Sequence, residues 1–570
     1  MAGSRGLRRK TPTFLLASAA LVAPTHVAAQ SVAPTREELT RITTPEAAPR
    51  PTLNIVGGIE RSPCPLADPR YADVRVRISD VQFNGLKGAS PDEMRAAWSP
   101  YAGTEQPVAV LCEIRDAAAT MLRDKGYLAA VQVPTQRIEN GVVQMEVLYA
   151  RITTIRARGQ TDGAEAKLAA YLNKLTEDEY FDRNKAERYL LLARDLPGYN
   201  VQLTLKPAGT GPGELVGEVS VLSRRYSLDA TVQNLAAEET GRWGAQLRGQ
   251  LYGLTGLGDV TTLAFYSTFD FKEQKILQAA HSFRPGSEGL TVNGQFTYAW
   301  TKPRIDDLEI TPDLKARTLF WTVDARYPIV RRQTSNLWAG IGFDYVDQKV
   351  HFFEPLSRDK LRILWLRADW DAVDLSARRP GWRANAFVEL RKGLDIFDAS
   401  ESDDEVGPSR DDGKATATVI RVGGQGELAL GRDFSIAVSP RAQIAFDPLL
   451  SFEEFTAGNY TVGRGYDPAT LSGDSGAGVL LELRGPRLMP IKQSKLTVQP
   501  FIFGDAAWAW NKNDGRGAEH LKSAGGGLRA ELSDRFRLDG TVAVPLEHAG
   551  FDNRKGNVRM LVTLTGRILP

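Results

Sequence analysis

The chain has 570 residues, 71 of them basic and 69 acidic, for a formal net charge of +2. So even a balance gives no bulk attraction to nucleic acid or to an anionic membrane surface, and neither is expected as the main partner. The length exceeds what one hydrophobic core organises, so two or more domains are expected.

Residues 1–29 begin with Arg5, Arg8, Arg9 and Lys10, run through a largely apolar stretch from Phe14 to Ala23 and end in Val27-Ala28-Ala29. This is the layout of a cleaved export signal, with the cut expected after Ala29. No later apolar run approaches the roughly 18 to 20 residues of a spanning helix, so a membrane form of this chain must be a barrel. Residues 30–70 are rich in Pro, Ala and Thr and read as a linker with one helix-capable piece, "PTREELTRI", over 34–42. Cys64 and Cys112 are the only cysteines. In an oxidising compartment the pair is expected to form a disulfide, contributing about 4 kcal/mol by loop closure, because two cysteines with no histidine nearby are too few to hold a metal.

From residue 74 the pattern becomes regular. A strand over 74–83 precedes a helix with Ser90 as N-cap, Pro91 at its first position and Glu93 completing a capping box. Leu111, Ile114, Ala118 and Leu122 give a second helix its apolar stripe, and Gly126 stops it. Strands over 129–136 and 142–150 follow, with a turn at Asn140-Gly141. The same order returns as a strand over 152–158, helices over 164–175 and 185–195, the stop Leu196-Pro197-Gly198, and strands over 199–206 and 215–222. Two copies of one small α+β unit in series are expected.

Beyond 222 no helical period is found. Sixteen strands are predicted over 226–235, 243–251, 260–268, 275–283, 290–300, 318–327, 336–347, 361–371, 382–390, 417–430, 434–446, 477–484, 497–509, 523–532, 536–544 and 558–567. An even count is what bacterial outer-membrane barrels require. Phe434, Ile436, Val438, Ile444 and Phe446 share one face of their strand while Ser435, Arg441 and Gln443 share the other; in the last strand Met560, Val562 and Leu564 oppose Arg559 and Thr563, with Leu561 the exception. If the chain enters from the periplasm, the long connections fall outside and the shortest ones inside, as outer-membrane barrels arrange them.

The stretch "NYTVGRGYDPATLSGDSGAG", 459–478, belongs to the sixth external connection, 447–476. Its "VGRGYD" and "SGDSG", with Gly126-Tyr127, Leu196-Pro197-Gly198 and Tyr327-Pro328-Ile329-Val330-Arg331, resemble the two-partner secretion transporters, the haemolysin secretion/activation type within the BamA-type superfamily. The resemblance covers essentially the whole mature chain. It implies a plug helix and linker over 30–70, two α+β periplasmic POTRA domains over 71–151 and 152–222, and an all-β 16-stranded transmembrane barrel over 223–570, monomeric and set in outer-membrane lipid. It also implies a channel that takes an unfolded partner exoprotein, β-helical once folded, from the periplasm to the exterior without ATP or any cofactor.

In that family the sixth loop folds back into the lumen and the arginine of its Arg-Gly-Tyr pairs with an aspartate on the thirteenth strand. The matching positions here are Arg464 and Asp505, with Gly463, Gly465, Tyr466, Asp467, Gly473, Asp474 and Gly476 completing the loop motif. Gly463 stands where the common pattern carries an apolar residue, and the last residues are Ile568-Leu569-Pro570 in place of a terminal aromatic. Physically, glycines at 463 and 465 permit close backbone approach, and an arginine can form a charge-assisted fork with a carboxylate in a confined lumen.

Other readings compete. "GDSG" at 473–476 and "AAHS" at 279–282 look like protease motifs, but a triad needs Ser475, His281 and a carboxylate in contact, and nothing in the sequence brings them together. No enzyme activity and no metal site are expected. The acidic loop 395–412 lacks the spacing of a calcium loop and reads as a solvated external loop. Trp300, Trp321, Trp338, Trp365, Trp370, Trp382, Trp508 and Trp510 read as an interface girdle. An inserter of other barrels is the alternative function on the same fold; a passive porin would not need two periplasmic domains.

Overall fold

The structure, a computed structural model, describes residues 33–41, 64–159, 163–210, 213–304, 314–376, 381–491, 494–513, 515, 517–533, 535–549 and 556–569. The expected export signal and the linker over 42–63 lie outside these residues.

The first α+β unit comprises β1 (Arg75–Arg77), β2 (Asp80–Asn84), α2 (Pro91–Met94), β3 (Glu105–Pro107), α3 (Val110–Asp124), β4 (Ala129–Gln132) and β5 (Val142–Tyr149), after a short helix α1 (Arg36–Arg41). The single strand expected over 74–83 is two pieces. Arg75–Arg77 pairs with Glu105–Pro107, whereas Asp80–Asn84 pairs in parallel with β5, and one straight strand cannot serve both partners. The expected capping box is present: the Glu93 N–H donates to Ser90 Oγ at 3.2 Å and the Ser90 N–H to Glu93 Oε2 at 2.7 Å. Leu111, Ile114, Ala118 and Leu122 of α3 are buried against the sheet. Cys112 at the start of α3 is bonded to Cys64, with Cα atoms 6.0 Å apart. Strand β4 is shorter than expected. Pro134 has no N–H to offer, and past it the Gln136 side chain takes over, donating to the Gln144 carbonyl and accepting the Gln144 N–H.

The second unit comprises β6 (Arg151–Gly159), α4 (Glu165–Asn173), α5 (Arg183–Arg194), β7 (Tyr199–Pro207) and β8 (Glu214–Ser223). Its sheet order, β6-β8-β7, repeats the first unit's β2-β5-β4. In both, the last strand lies centrally, parallel to the first and antiparallel to the second. The same topology therefore occurs twice.

All sixteen remaining long strands close into one antiparallel barrel in chain order, Tyr226–Gln233 pairing with Arg559–Leu569 at the seam. Outward and inward faces alternate as the sequence predicts. Met560 is 71% exposed while Leu561, the exception to the pattern, is 5% exposed and faces inward. The sixth, seventh and eighth strands, Leu314–Arg331, Ser335–Phe352 and Glu354–Val373, run well beyond their predicted ends. The sequence leaves 348–360 as a connection, yet Pro355 sits within the eighth strand opposite His351, beside a register shift, the kind of irregularity at which a strand tolerates proline. These strands exceed the roughly 9 to 11 residues that cross a bilayer, so the excess stands outside it. Trp365 leaves the expected girdle: it is 6% exposed and donates from Nε1 to Asp344 at 2.9 Å inside the barrel. The acidic loop folds back on the eighth strand, with Lys360 paired to Asp398 and Asp404 at 3.0 and 3.1 Å.

Candidate functional site: a plugged lumen and its folded-back loop

Between the eleventh strand, Phe434–Ala445, and the twelfth, Ser475–Arg484, the sixth external loop turns into the barrel. It carries its own short hairpin, Phe455–Ala457 with Leu471–Gly473. Phe455, Ala457, Val462, Tyr466 and Leu471 pack on Ala507 and Ala509 of the thirteenth strand and on Leu521 of the fourteenth. The loop thus has an apolar core of its own making against the wall, which fixes its place before any charge is considered.

The backbone then comes so close that side chains are excluded. Gly463 has φ +114°, and a Cβ there would lie 2.7 Å from Leu521 Cδ1. A Cβ on Gly465 would lie 2.9 Å from the Pro545 nitrogen. Both glycines are therefore required by the approach, including the one that departs from the family pattern.

Arg464 and Asp505 are in contact, but not as expected. The main-chain N–H of Arg464 donates to Asp505 Oδ2 at 3.0 Å, the Gly465 N–H donates to Ser523 Oγ at 3.0 Å, and the Ser523 hydroxyl donates to Asp505 Oδ1. The guanidinium goes elsewhere, pairing with Glu482 on the twelfth strand at 3.1 Å and lying 4.7 Å from the Phe503 ring centre. This corrects the expected side-chain fork between Arg464 and Asp505. With the glycines drawing the backbone onto the wall, the main chain reaches Asp505 first, and the long side chain passes across to the neighbouring strand. Glu482 also receives Arg484 at 2.6 Å and Arg529 at 2.6 and 2.9 Å. No sequence motif marked Glu482; its signal is that it is the only carboxylate in "GAGVLLELRG".

The rest of the motif anchors the loop at both ends. The Tyr466 hydroxyl lies 2.9 Å from the carbonyl oxygens of Lys522 and Glu547. Asp467 pairs with Arg559 of the last strand at 2.7 Å and with Arg242 of the first external connection at 3.1 Å. Asp474, fully buried, accepts the N–H groups of Leu449 and Lys512 at 2.6 and 2.7 Å and pairs with Arg410 at 2.7 Å. Gly473 lies opposite Phe455 in the loop hairpin, and Gly476 opposite Gln443 in the barrel. Ser475 Oγ accepts the Ala445 N–H at 3.0 Å, while His281 Nδ1 is 2.9 Å from Thr261 Oγ1 on the third strand. The Gly-Asp-Ser-Gly is thus the foot of the loop. Among the described residues no cluster of His, Cys, Asp or Glu is arranged to hold a metal.

Helix α1 lies in the same lumen. The Thr35 N–H donates to Glu38 Oε2 at 2.7 Å and the Glu38 N–H to Thr35 Oγ1 at 3.3 Å, a reciprocal cap that steadies a helix of six residues. Leu39 is buried in a cluster with Tyr266, Ile276, Ala299, Phe320 and Val346 from the wall and Phe452 from the sixth loop. Burial pushes the Glu38 carboxyl up to about 7, against the opposing effect of its bonds to Thr35. Arg36 pairs with Glu389 at 3.2 Å and Glu37 with Arg441 at 2.9 Å, while Thr456 of the sixth loop donates to Glu37 at 3.2 Å. Arg391, fully buried, joins Glu389 to Glu453 of the loop and to Asp344 of the wall. Helix, wall and loop therefore share one charged network.

At the opposite rim the remaining family motifs seat the second α+β unit on the barrel. Asp195, after α5, pairs with Arg331 through both carboxylate oxygens at 2.6 and 2.7 Å and accepts Arg284 on its carbonyl at 2.9 Å. Arg188 donates to the Pro328 carbonyl at 2.9 Å and lies 5.7 Å from the Tyr327 ring centre. Gly126-Tyr127 joins the two units: the Arg183 N–H donates to the Gly126 carbonyl at 2.8 Å, and the Tyr127 ring meets Tyr180 edge-on at 5.6 Å.

Compared with known families, residues 219–530 match haemolysin secretion/activation protein ShlB/FhaC/HecB, and residues 76–149 match the POTRA domain of ShlB type. The chain is 20% identical over 477 residues to the heme/hemopexin transporter protein HuxB of Haemophilus influenzae (strain 86-028NP), covering 80% of this chain and 81% of that one. Its fold is similar to that of CdiB from Escherichia coli, with a TM-score of 0.74 at 18% identity over 95% of each chain. It is also similar to that of CdiB from Acinetobacter baumannii, with a TM-score of 0.64 at 15% identity over 92% of this chain and 94% of that one. With more than half its length matched, the chain belongs to the ShlB/FhaC/HecB family of haemolysin secretion/activation proteins, outer-membrane two-partner secretion transporters with POTRA domains in the periplasm.

Proposed function

We propose that this transporter captures its partner exoprotein unfolded in the periplasm and passes it through the barrel lumen to the cell exterior without ATP. The observation that carries this reading is the way the lumen is filled. Helix α1 is a separate six-residue element held by Leu39 and a few ion pairs, and the sixth loop is held by side-chain and main-chain contacts at discrete points. Both are removable parts within a continuous wall of sixteen strands.

The two POTRA units supply a capture surface. The main sheet of each unit has three strands, and the main-chain donors and acceptors along its edges suit an extended client that adds itself as a further strand. Energy then comes from the client, whose folding outside withdraws the unfolded form from the equilibrium. The helix α1 is the plug, Arg464 with Asp505 and Glu482 is the latch of the loop, and both must yield for passage.

Reconstitution tests this directly. Mature protein in lipid vesicles, given the unfolded exoprotein and no nucleotide, is expected to move it to a protease-protected compartment. Failure without nucleotide and success with it would overturn the energetic reading. Equal transport or insertion of unfolded barrel precursors would favour the assembly function.

A further inference from the structure

The lumen contains a cavity of about 260 Å³ below the sixth loop, and its lining is strongly cationic. Arg383, Arg464, Arg484, Arg487, Arg529 and Arg537 converge on it, against the carboxylates of Glu482 and Glu531 in the lining and of Glu427 and Asp539 beside it, which pair with Arg383 and Arg484 and with Arg529 and Arg537, so six guanidiniums face four carboxylates. Glu482 is already shared by three guanidiniums. Arg487 is exposed and has no ion pair among the described residues. Coulomb attraction inside such walls is stronger than in bulk water, so an excess of fixed positive charge here is a site for an anion.

Its place in the barrel says which anion. Arg484 ends the twelfth strand, Arg487 follows it, and Arg529 and Arg537 flank the connection between the fourteenth strand, Glu519–Leu532, and the fifteenth, Phe536–Pro545. These connections share a rim with those on which the second POTRA unit sits through Arg284 and Arg331. The cavity therefore lies on the periplasmic side of the loop, where a client arriving from the POTRA domains first enters the lumen.

We propose that this cavity binds an acidic segment of the translocating polypeptide. The proposal rests on the transport reading above and adds the chemical class of what is recognised. An arriving carboxylate meets Arg487 first and then the guanidiniums that share Glu482. By taking Arg464 from Glu482 it releases the side-chain arm of the loop, so that client arrival and loop release are one exchange of partners. Arg-carboxylate pairs suit the task because they are directional yet exchangeable.

The test uses the mature protein in detergent micelles and fluorescence anisotropy. The probe is a labelled peptide of about twelve residues alternating Glu and Ser, with a Lys and Ser peptide as control; the acidic one is expected to bind, weakening about tenfold as salt rises from about 50 to about 300 mM. The double variant Arg383→Glu and Arg487→Glu alters residues that do not hold the loop, keeps the barrel's heat-modifiability and is expected to lose about tenfold or more in affinity, with the Gln pair intermediate. Equal binding of the lysine peptide, or unchanged binding by both variants, overturns the proposal. So does complete displacement of the peptide by phosphatidylglycerol bicelles, which would make the site a lipid one. If cells need this chain to secrete the exoprotein yet the acidic peptide does not bind, the cavity proposal falls and transport stands; if secretion continues in cells lacking the chain, transport itself falls.

Discussion

Arg464 reaches Asp505 with its backbone and Glu482 with its side chain: the N–H lies 3.0 Å from Asp505 Oδ2 and the guanidinium 3.1 Å from Glu482 Oε2. The two arms fail differently. Arg464→Ala keeps the tie to Asp505 and leaves Glu482 with Arg484 and Arg529, so the expected loss is about 1 kcal/mol. Glu482→Ala takes a shared carboxylate from three guanidiniums at once, leaving Arg484 with Glu427, Arg529 with Asp539 and Arg464 with no ion pair among the described residues, and should cost about 3 kcal/mol. In double-mutant cycles read by thermal unfolding in detergent, Arg464→Ala should couple with Glu482→Ala and add independently to Asp505→Ala. Strong coupling to Asp505 alone would restore the side-chain fork.

The foot of the loop separates structure from chemistry. Ser475→Ala removes one acceptor, that of the Ala445 N–H, and should cost about 1 kcal/mol while leaving secretion near normal. Asp474→Ala leaves the Leu449 and Lys512 N–H groups without their acceptor and takes one carboxylate from Arg410, which keeps Asp412, and should make the loop sensitive to added protease and reduce secretion strongly. A loss of secretion in Ser475→Ala with the loop still protected would reopen the catalytic reading.

Glu38 gives the plug a pH dependence. Its carboxyl is raised by burial to about 7, above the ordinary carboxylate value in the released helix, so the seated state binds the proton more tightly. Seating is therefore strongest where both states are protonated, and weakens as pH rises through about 5 to about 7. Channel open probability in planar bilayers should rise over that window, and Glu38→Gln should flatten the dependence with the plug held in. A rise in seating with pH would contradict the assignment.

The seat of the second POTRA unit depends on Asp195. Asp195→Ala leaves Arg331, a largely buried guanidinium, with Asn336 and removes both carboxylate contacts. We expect an intact barrel by heat-modifiability, faster proteolysis after α5 and at least about a tenfold drop in secretion, on the scale of about 2 kcal/mol of lost docking. Unchanged proteolysis would show that Arg188 and Arg284 suffice.

Much of this was legible because period is local. The sixteen barrel strands stand out as short strand-like runs, with alternation plain in those near the C-terminus, and the stripe of Leu111, Ile114, Ala118 and Leu122 placed α3. What failed was tertiary. Pro355 and its charged neighbours read as a loop because their pairing partners lie across a hairpin whose extra length nothing nearby announces. Trp365 read as a girdle residue because residue type alone does not say that Asp344 waits inside. The family motif led to Arg464 and Asp505, but not to Glu482, since a sequence shows which residues are present and not which one a long side chain chooses. For α1 the Thr35 and Glu38 spacing of a cap was present in the sequence, while the seat for Leu39 is assembled from strands hundreds of residues away.

The central claim is that the plug must leave its seat for a polypeptide to pass, and one cross-link tests it. Glu37 and Arg441 face each other across the lumen as an ion pair at 2.9 Å, and the native cysteines are already bonded to one another. In the double variant Glu37→Cys and Arg441→Cys, a short bis-maleimide should tie α1 to the eleventh strand. Nucleotide-free transport into vesicles should stop in the cross-linked protein and proceed in the same variant with each thiol capped singly. Undiminished transport by fully cross-linked protein would contradict the account.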